Sequence, residues 1–511
     1  MKKVFSLLAA CIMLCTVQTT KAQFAGGDGS QSSPYQITNR TQLEALKGFV
    51  GNAGKGKYFV LTEDIDLSGD YWTPIATLHQ VSLSSVNIPD TAFYGKLDGQ
   101  NHKILHLHTR TNVHDGTQAA ANVHFFLNGL FGQLYSGASI SNLHIVGDVN
   151  DTIHTLNNAN YPRTSALAAL ITVPSDAAEG VTITNCTNNI NVFDARVTSN
   201  MGHAAGGLIG HIANSSQSQD VIVSQCSNTG EVAGGFYKGG LIGIAAGYVE
   251  VHDCYYHGNV SYMSPTGDKL NGGSYAGGLI GLFGEGIIDH CYAAGTVDNF
   301  KLDERNAILG ASGILGRAGT GAGTAKTAPV EITNTVALQT ELKFSDSATN
   351  GRCSFRIQGY YSSDATLTNN YALSSMVLTD SINVVSVSGT TADSKDGADV
   401  ALATAQTKAF YEGLGWDFAS VWKIKEGESF PSLQAAGTTG ISAPKTTASA
   451  LKAFASKGVL TVRGAKPGEK INVYTVLGQK IHSGTATTIS LPAGGIYVVT
   501  SGAQAIKIIN K

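Results

Sequence analysis

Short runs of alternating apolar and polar residues recur along most of the chain, each bounded by Gly, Asn, Ser or Asp. Alternation with period two puts every second side chain on one face, the signature of a half-buried strand. Helical spacing is confined to two places. Leu43, Leu46 and Val50 follow Thr41-Gln42-Leu43-Glu44, which reads as a capping box, and Thr404 to Glu412 reads as a second short helix. The pattern predicts an all-β body with a short capping helix near each end.

The strands repeat. Gly206-Gly207-Leu208-Ile209-Gly210 recurs as Gly239-Gly240-Leu241-Ile242-Gly243 and as Gly277-Gly278-Leu279-Ile280-Gly281, with degraded copies at Asn128-Gly129-Leu130-Phe131-Gly132, Ser165-Ala166-Leu167-Ala168-Ala169 and Ser312-Gly313-Ile314-Leu315-Gly316. Their starts lie about 33 to 40 residues apart, a repeat-protein period. A second element follows each copy: Ile183-Thr184-Asn185-Cys186, Val223-Ser224-Gln225-Cys226, Val251-His252-Asp253-Cys254 and Ile288-Asp289-His290-Cys291, with variants at Ile140 to Leu143 and Ile332 to Thr335. A third reads Gly230-Glu231-Val232, Gly258-Asn259-Val260 and Gly295-Thr296-Val297, and Gly147-Asp148-Val149 stands at the matching offset from Leu143.

One such coil cannot bury its apolar face alone, but stacked coils make parallel sheets whose inward side chains form continuous ladders. The expected fold is a right-handed parallel β-helix, with Leu208, Leu241 and Leu279 in one ladder and Cys186, Cys226, Cys254 and Cys291 in another. The glycines are expected at corners that need positive φ or close packing. The chain varies in length after Val149, Val260 and Val297, and these insertions should project from one side, where binding surfaces tend to lie.

Residues 435–450 are rich in Gly, Thr, Ser and Ala and read as a linker. Residues 451–511 change style. Strands at Val459–Val462, Lys470–Tyr474, Thr488–Leu491, Ile496–Val499 and Ala505–Ile509 predict a small C-terminal β-sandwich, a separate domain not expected to stabilise the β-helix. At the other end, Lys2 and Lys3 precede an apolar run from Val4 to Val17 that is too short to span a bilayer. With the small-x-small triplet Thr20-Lys21-Ala22, residues 1–22 read as a secretory signal that leaves Gln23 as the first mature residue. Leu8-Ala9-Ala10-Cys11 supports a rival lipoprotein reading. No other apolar run is long enough to cross a membrane. The expected domains are thus a signal at 1–22, a β-helix at 23–434, a linker at 435–450 and a β-sandwich at 451–511.

Composition agrees. Of 511 residues, 42% are apolar and 14% charged, with 60 Gly and 11 Pro, which favours strands and tight turns. A formal net charge of −3 gives no reason to expect nucleic acid as a partner. Of the seven cysteines, Cys11 and Cys15 leave with the signal. The odd remainder argues against a full disulfide framework, and the absence of Cys-x-x-Cys pairs argues against a metal site.

The repeats resemble those of bacterial surface proteins carrying the GLUG motif, a mostly uncharacterised, adhesin-like family. The resemblance extends to Gly26-Gly27-Asp28-Gly29, Leu61 to Leu67, Trp72-Thr73-Pro74-Ile75, Phe93 to Ile104 and the closing Gly415-Trp416-Asp417-Phe418, Trp422-Lys423-Ile424 and Phe430-Pro431-Ser432-Leu433. Ile471 to Tyr474, Leu477-Gly478-Gln479, Gly494 to Val499 and Lys507 to Lys511 resemble the C-terminal sorting domain of type IX secretion substrates. Ala453-Phe454-Ala455-Ser456 stands where such domains carry a Tyr-Pro-Asn-Pro-like lead-in. These resemblances imply a surface protein handed to a secretion machinery by its C-terminal domain.

Candidate chemistry is sparse. Immunoglobulin-A peptidases with GLUG repeats use a His-Glu-x-x-His zinc site, and none of the 14 histidines here is followed by Glu. His102, His106, His108, His114 and His124 cluster, and on one strand His106 and His108 would share a face. No carboxylate pattern completes a metal site, so a solvated outer face is expected. Asp64, Asp66 and Asp98 could serve sugar chemistry as paired carboxylates, but their setting favours turn and strand-end roles. Asp-Thr/Ser-aliphatic triplets at Thr91, Thr152, Ser347 and Ser381 resemble sites that Bacteroidota O-glycosylate. No catalytic, cofactor-binding or metal-ligating residue is assigned. The expectation is a non-enzymatic adhesin or scaffold, secreted to the cell surface on the exterior of the outer membrane. It would bind a glycan or a protein through loops of a rigid β-helix. A carbohydrate-active enzyme, a polysaccharide lyase or glycosidase, is the alternative.

Overall fold

In the computed structural model, the described residues are 23–76, 90–112, 126–148, 150–156, 162–195, 203–262, 274–300, 309–319, 328–345, 352–361, 365–434 and, apart from 457, 464, 466–467, 477, 493–494 and 503, 451–510. Residues 1–22, expected to be a signal, and 435–450, expected to be a linker, lie outside them, as do most of the expected insertions.

Two sheets of 15 and 16 strands, parallel but for one pair at Val377–Asp380 and Asn383–Val384, extend over residues 35–400, and a third of six parallel strands spans 126–312, so the body is a parallel β-helix. The six-stranded sheet is built from Phe126–Asn128, Pro162–Thr164, Ala204–Gly206, Tyr237–Gly239, Ser274–Gly277 and Leu309–Ser312, the strands that lead into the six repeat copies. Beyond the corner, Phe131, Ala168, Ile209, Ile242, Ile280 and Leu315 pair in one row. Leu130, Leu167, Leu208, Leu241, Leu279 and Ile314 precede them, all fully buried. The register also reveals a further copy: Leu315 pairs with Gln358, so Arg356-Ile357-Gln358-Gly359 extends the ladder by one rung.

The glycines of the motif have ordinary φ values; close approach between coils is what requires them. A Cβ on Gly207 would lie 1.9 Å from Asn228 Nδ2 and 2.2 Å from the Gly240 carbonyl oxygen. Asn228 itself is buried and donates to that same carbonyl and to Gly230 O. The second Gly thus leaves room for a side chain that satisfies the corner's carbonyl groups.

The cysteines occupy one inward column. His144, Thr187, Ser227, Tyr255, Tyr292, Val336 and Tyr371 pair in register, so the residues before them, Leu143, Cys186, Cys226, Cys254, Cys291, Thr335 and Asn370, stack. All seven are fully buried, and the cysteines are free thiols. One position earlier the backbone turns: Asn142, Asn185, Gln225, Asp253, His290, Asn334 and Asn369 all have φ between 50° and 60°. Side-chain ladders steady this left-handed corner, with Asn185 Nδ2 donating to Asn142 Oδ1 at 2.9 Å and Asn369 Nδ2 to Asn334 Oδ1 at 2.8 Å.

Val232, Val260 and Val297 form the third ladder as expected. Its earlier rungs are Val192 and Ile153. Val149, expected there, lies outside the described residues, and the residue that fills the rung is four positions later. Near the N-terminus the helix spans Arg40–Glu44, with Asn39 as its cap instead of Thr41, and Gln42 Oε1 accepts from Thr38 N at 2.8 Å. The capping residues therefore sit two positions before those expected, and Leu43 and Leu46 are buried. The second helix is two, Leu402–Ala405 and Lys408–Gly413.

Residues 452–510 form two antiparallel sheets of three and four strands around their own core of Leu460, Val462, Ile471, Val473 and Val499. Strands Lys452–Ser456 and Lys480–Gly484 add to those expected. This sandwich is seated on the β-helix, which differs from the expected free-standing tail. Arg463, nearly fully buried, reaches Asp220 Oδ1 at 3.0 Å, and Lys452 pairs with Glu250.

Candidate functional site

The insertions expected to carry binding loops lie mostly outside the described residues. A recess among those described lies on the outer face of the 15-stranded sheet. Strands Lys96–Asp98, Ser139–Ser141, Val181–Thr184 and Val221–Ser224 stack there in register. Period two sends Leu97, Ile140, Ile183 and Val223 into the core, where all are buried. The alternate residues line up outward in two rows: Lys96, Ser139, Thr182 and Ile222, then Asp98, Ser141, Thr184 and Ser224. Rungs of parallel strands repeat at about 4.8 Å, so hydroxyl groups recur along the helix axis at that interval.

These rows floor a trough of about 490 Å³, closed at one end by Tyr58, Pro34 and Gln31 and flanked by Asn142 and Gln225 of the left-handed corner. Lys96 Nζ lies 3.4 Å from Glu179 Oε2 and 5.7 Å from the centre of the Tyr58 ring. Asp98 is the one carboxylate among the lining residues. Its Oδ1 accepts from Gln100 N at 2.9 Å and from Asn142 Nδ2 at 2.8 Å. Thr184 and Ser224 hydroxyls are 3.1 Å apart. The trough offers hydrogen-bond donors and acceptors, a half-buried aromatic ring and one cation. A glycosidase site would need two carboxylates facing each other across it.

The residues singled out in the sequence are dispersed. Asp66 Oδ1 caps a turn by accepting from Ser68 N at 2.8 Å, and Asp64 Oδ1 accepts from Lys103 N at 2.9 Å. Of the three, only Asp98 joins the trough. His106 has φ of 54° and so does not share a strand face with His108. Its Nδ1 lies 3.1 Å from Asp151 Oδ2, while His108 bonds the carbonyls of His106 and Gly69. His114 and His124 lie outside the described residues. Among those described, no three His, Cys, Asp or Glu converge as metal ligands. Of the O-glycosylation candidates, Thr91 has a buried hydroxyl, Thr152 lies half-buried in a strand, and Ser381 sits at a turn beside Ile382, which is 75% exposed. Ser347 lies outside the described residues.

Buried polar groups that no sequence pattern marked hold the coil interiors. His203 Nδ1 and Asp194 Oδ2 are 3.2 Å apart and both fully buried. Lys238 Nζ, also buried, bonds Asn299 Oδ1 at 2.8 Å and the Ser274 hydroxyl. No helix among the described residues is long and apolar enough to cross a membrane.

Residues 440–510 match a family described as a domain of unknown function (DUF6383). A protein of Evansella cellulosilytica, provisionally named a Gly-rich membrane protein, is 28% identical over 139 residues, which cover 26% of this chain. The match spans 13% of that protein's own length. Among solved structures, a Bacteroides ovatus protein provisionally described as an immunoglobulin A1 protease aligns over 81% of this chain and 96% of its own, at 21% identity and a TM-score of 0.44.

Proposed function

We propose that this chain is an exported surface protein whose β-helix binds an extended polar polymer, a glycan, along the trough between Tyr58 and Ser224. The observation that carries the reading is the double row of outward Ser and Thr side chains at strand spacing, floored by a buried ladder that keeps it straight. A chain of saccharide units laid along the helix axis meets Lys96 and Asp98, then the hydroxyl pairs of Ser139 with Ser141 and Thr182 with Thr184, then Ser224, and Tyr58 offers an apolar ring at the end. Asp98, already engaged by Gln100 and Asn142, acts as an orienting acceptor and not as one of a catalytic pair. The export reading rests on residues 1–22 and on the GLUG-like repeats, and the sorting role on the resemblance of residues 451–511 to type IX secretion domains.

A glycan array probed with the mature chain, residues 23–511, tests this. Binding should appear on linear glycans and fall about tenfold or more in Thr182→Lys, because a long charged side chain would stand in the middle of the floor. Glycan binding that survives Thr182→Lys and Tyr58→Ala unchanged would remove the trough from the reading.

A further inference from the structure

The outward rows do not stop at Ser224. Ile222 pairs with Glu250 and Ser224 with His252, so the next rung presents a carboxylate and an imidazole. Glu250 pairs in turn with Ile287, and Ile287 with Glu331. Beside this rung, the segment Ser216–Asp220 contributes Asp220, and Tyr248 is fully buried. The trough, polar and nearly neutral over its open half, thus continues as an acidic, aromatic socket.

The C-terminal sandwich fills that socket with its hairpin of Lys452–Ser456 and Val459–Arg463. The Arg463 guanidinium lies 4.2 Å from the centre of the Tyr248 ring, 3.0 Å from Asp220 Oδ1 and 3.2 Å from Ser216 O. Lys452 pairs with Glu250, Phe454 packs 5.6 Å from the Tyr248 ring centre, and Thr488 donates to Gln217 Oε1 at 3.0 Å. Burial alone would raise Glu250, but the hydrogen bond from His252 and the Lys452 ammonium hold its carboxyl down to about 2. Burial pushes Asp220 up, with Glu250 adding to the effect and Arg463 opposing it. Without the hairpin, Asp220 would lose its guanidinium partner and Glu250 would keep only His252, at 3.1 Å.

We infer that Asp220, Tyr248 and Glu250 form a recognition socket for a cationic β-hairpin, occupied by this chain's own residues 452–463, so that the C-terminal domain masks the far half of the outer face. The ligand class of the masked half is an extended segment carrying Lys or Arg beside an aromatic ring. The sandwich is therefore a cover over the far half of the face as well as a terminal domain. This holds whether or not the open half binds glycan.

The test uses the full mature chain. Hydroxyl-radical footprinting reads the accessibility of Tyr248, which the seated hairpin excludes from solvent. Labelling of Tyr248 should rise about tenfold in Arg463→Glu with Lys452→Glu, and the charge swap Arg463→Asp with Asp220→Arg should return it towards the wild-type level. A synthetic peptide of residues 451–464 should bind the doubly reversed chain and not the wild type. It should fail to bind when Asp220→Lys and Glu250→Lys are added. Tyr248 labelled as strongly in the wild type as in the reversed chain would overturn the cover. Peptide binding that ignores the socket charges would overturn the recognition site. Unchanged circular dichroism in every variant separates these outcomes from failure to fold.

Discussion

Replacing Gly240 with Ala adds one methyl group at a place where two coils touch. The new Cβ would lie 2.2 Å from Tyr256 Cδ1 and 2.3 Å from the Gly278 carbonyl oxygen. Neither neighbour can give way freely. The Tyr256 ring is fully buried, and the Gly278 carbonyl accepts the hydrogen bond from Gly240 N at 3.1 Å. Relief requires prising the two coils apart, which lengthens that bond and opens the Leu241–Leu279 contact below it. Overpacking of a close-packed core costs about 1–3 kcal/mol, and the weakened backbone bond adds about 1 kcal/mol. A loss of about 3 kcal/mol is expected. Gly413 is the control: it ends a helix, has no positive φ, and a Cβ there meets nothing within 4 Å. Gly413→Ala should be neutral or stabilise by roughly 0.5 kcal/mol by restricting the unfolded chain. Because each coil contacts only its neighbours, the assay is amide hydrogen exchange at Tyr237–Gly243 and Ser274–Gly281, beside a thermal melt. Exchange at those strands no faster in Gly240→Ala than in Gly413→Ala would refute close approach as the reason for the motif.

Leu241→Asp puts a carboxylate in a ladder between Leu208 and Leu279, with no partner, and should cost several kcal/mol; Ile382→Asp, at a residue 75% exposed, should change the melt little. Equal effects in the two would mean the stacking register is wrong. The closing segment should loosen with rising pH. Burial works against the His290 cation, but Asp289 raises it above its usual range, and its Nε2 bonds Leu414 O at 3.2 Å. That contribution is full below about pH 6.5 and is lost as pH rises through the raised value. Exchange protection of residues 408–424 should fall over that window in the wild type and stay flat in His290→Gln; a flat wild-type profile would exclude the coupling. In the native host, truncation near Gly440 should leave the protein in the periplasm, read by surface proteolysis. Truncated chain arriving at the surface would show that the C-terminal domain is not a sorting element.

Ladders were legible where identical residues recur. Cys186, Cys226, Cys254 and Cys291 announce their column because Cys is rare in this chain, and their neighbours in sequence have the right alternation. Arg356-Ile357-Gln358-Gly359 belongs to the Gly-Leu-Ile-Gly stack but hides, since Arg356 stands where Gly313 does one rung earlier and Gln358 where Leu315 does. The left-handed column hides for a different reason. Asn142, Gln225, Asp253 and His290 look unrelated, yet all can hold φ near 50° while a polar side chain reaches the next coil. What they share is a backbone angle and not a residue type. At the N-terminus two adjacent polar clusters could each cap the helix, and packing of Leu43 and Leu46 selects Asn39 over Thr41.

The trough and the socket illustrate what a one-dimensional pattern conceals. Outward positions on a strand read as solvated polar residues, and Ser139, Thr182 and Ser224 carry no mark that separates them from any other surface hydroxyl. Their meaning comes from register, which sets residues about 40 apart side by side. Arg463 and Lys452 are the extreme case. In a short antiparallel sandwich, both would be taken for exposed charges that keep an edge strand soluble. Their partners, Asp220 and Glu250, are 243 and 202 residues away. In the three-stranded sheet Lys452 lies on an outer strand and Arg463 at the end of the central one, and a charge there that is buried against a second domain changes from a solubility device to a docking element. Its sign then carries specificity, because the socket rejects a hairpin that bears an acid at the same place. That makes charge reversal at Arg463, more than truncation, the perturbation that separates a seated domain from a tethered one. Truncation removes the whole domain at once, whereas reversal leaves both folded units intact and alters only the contact between them.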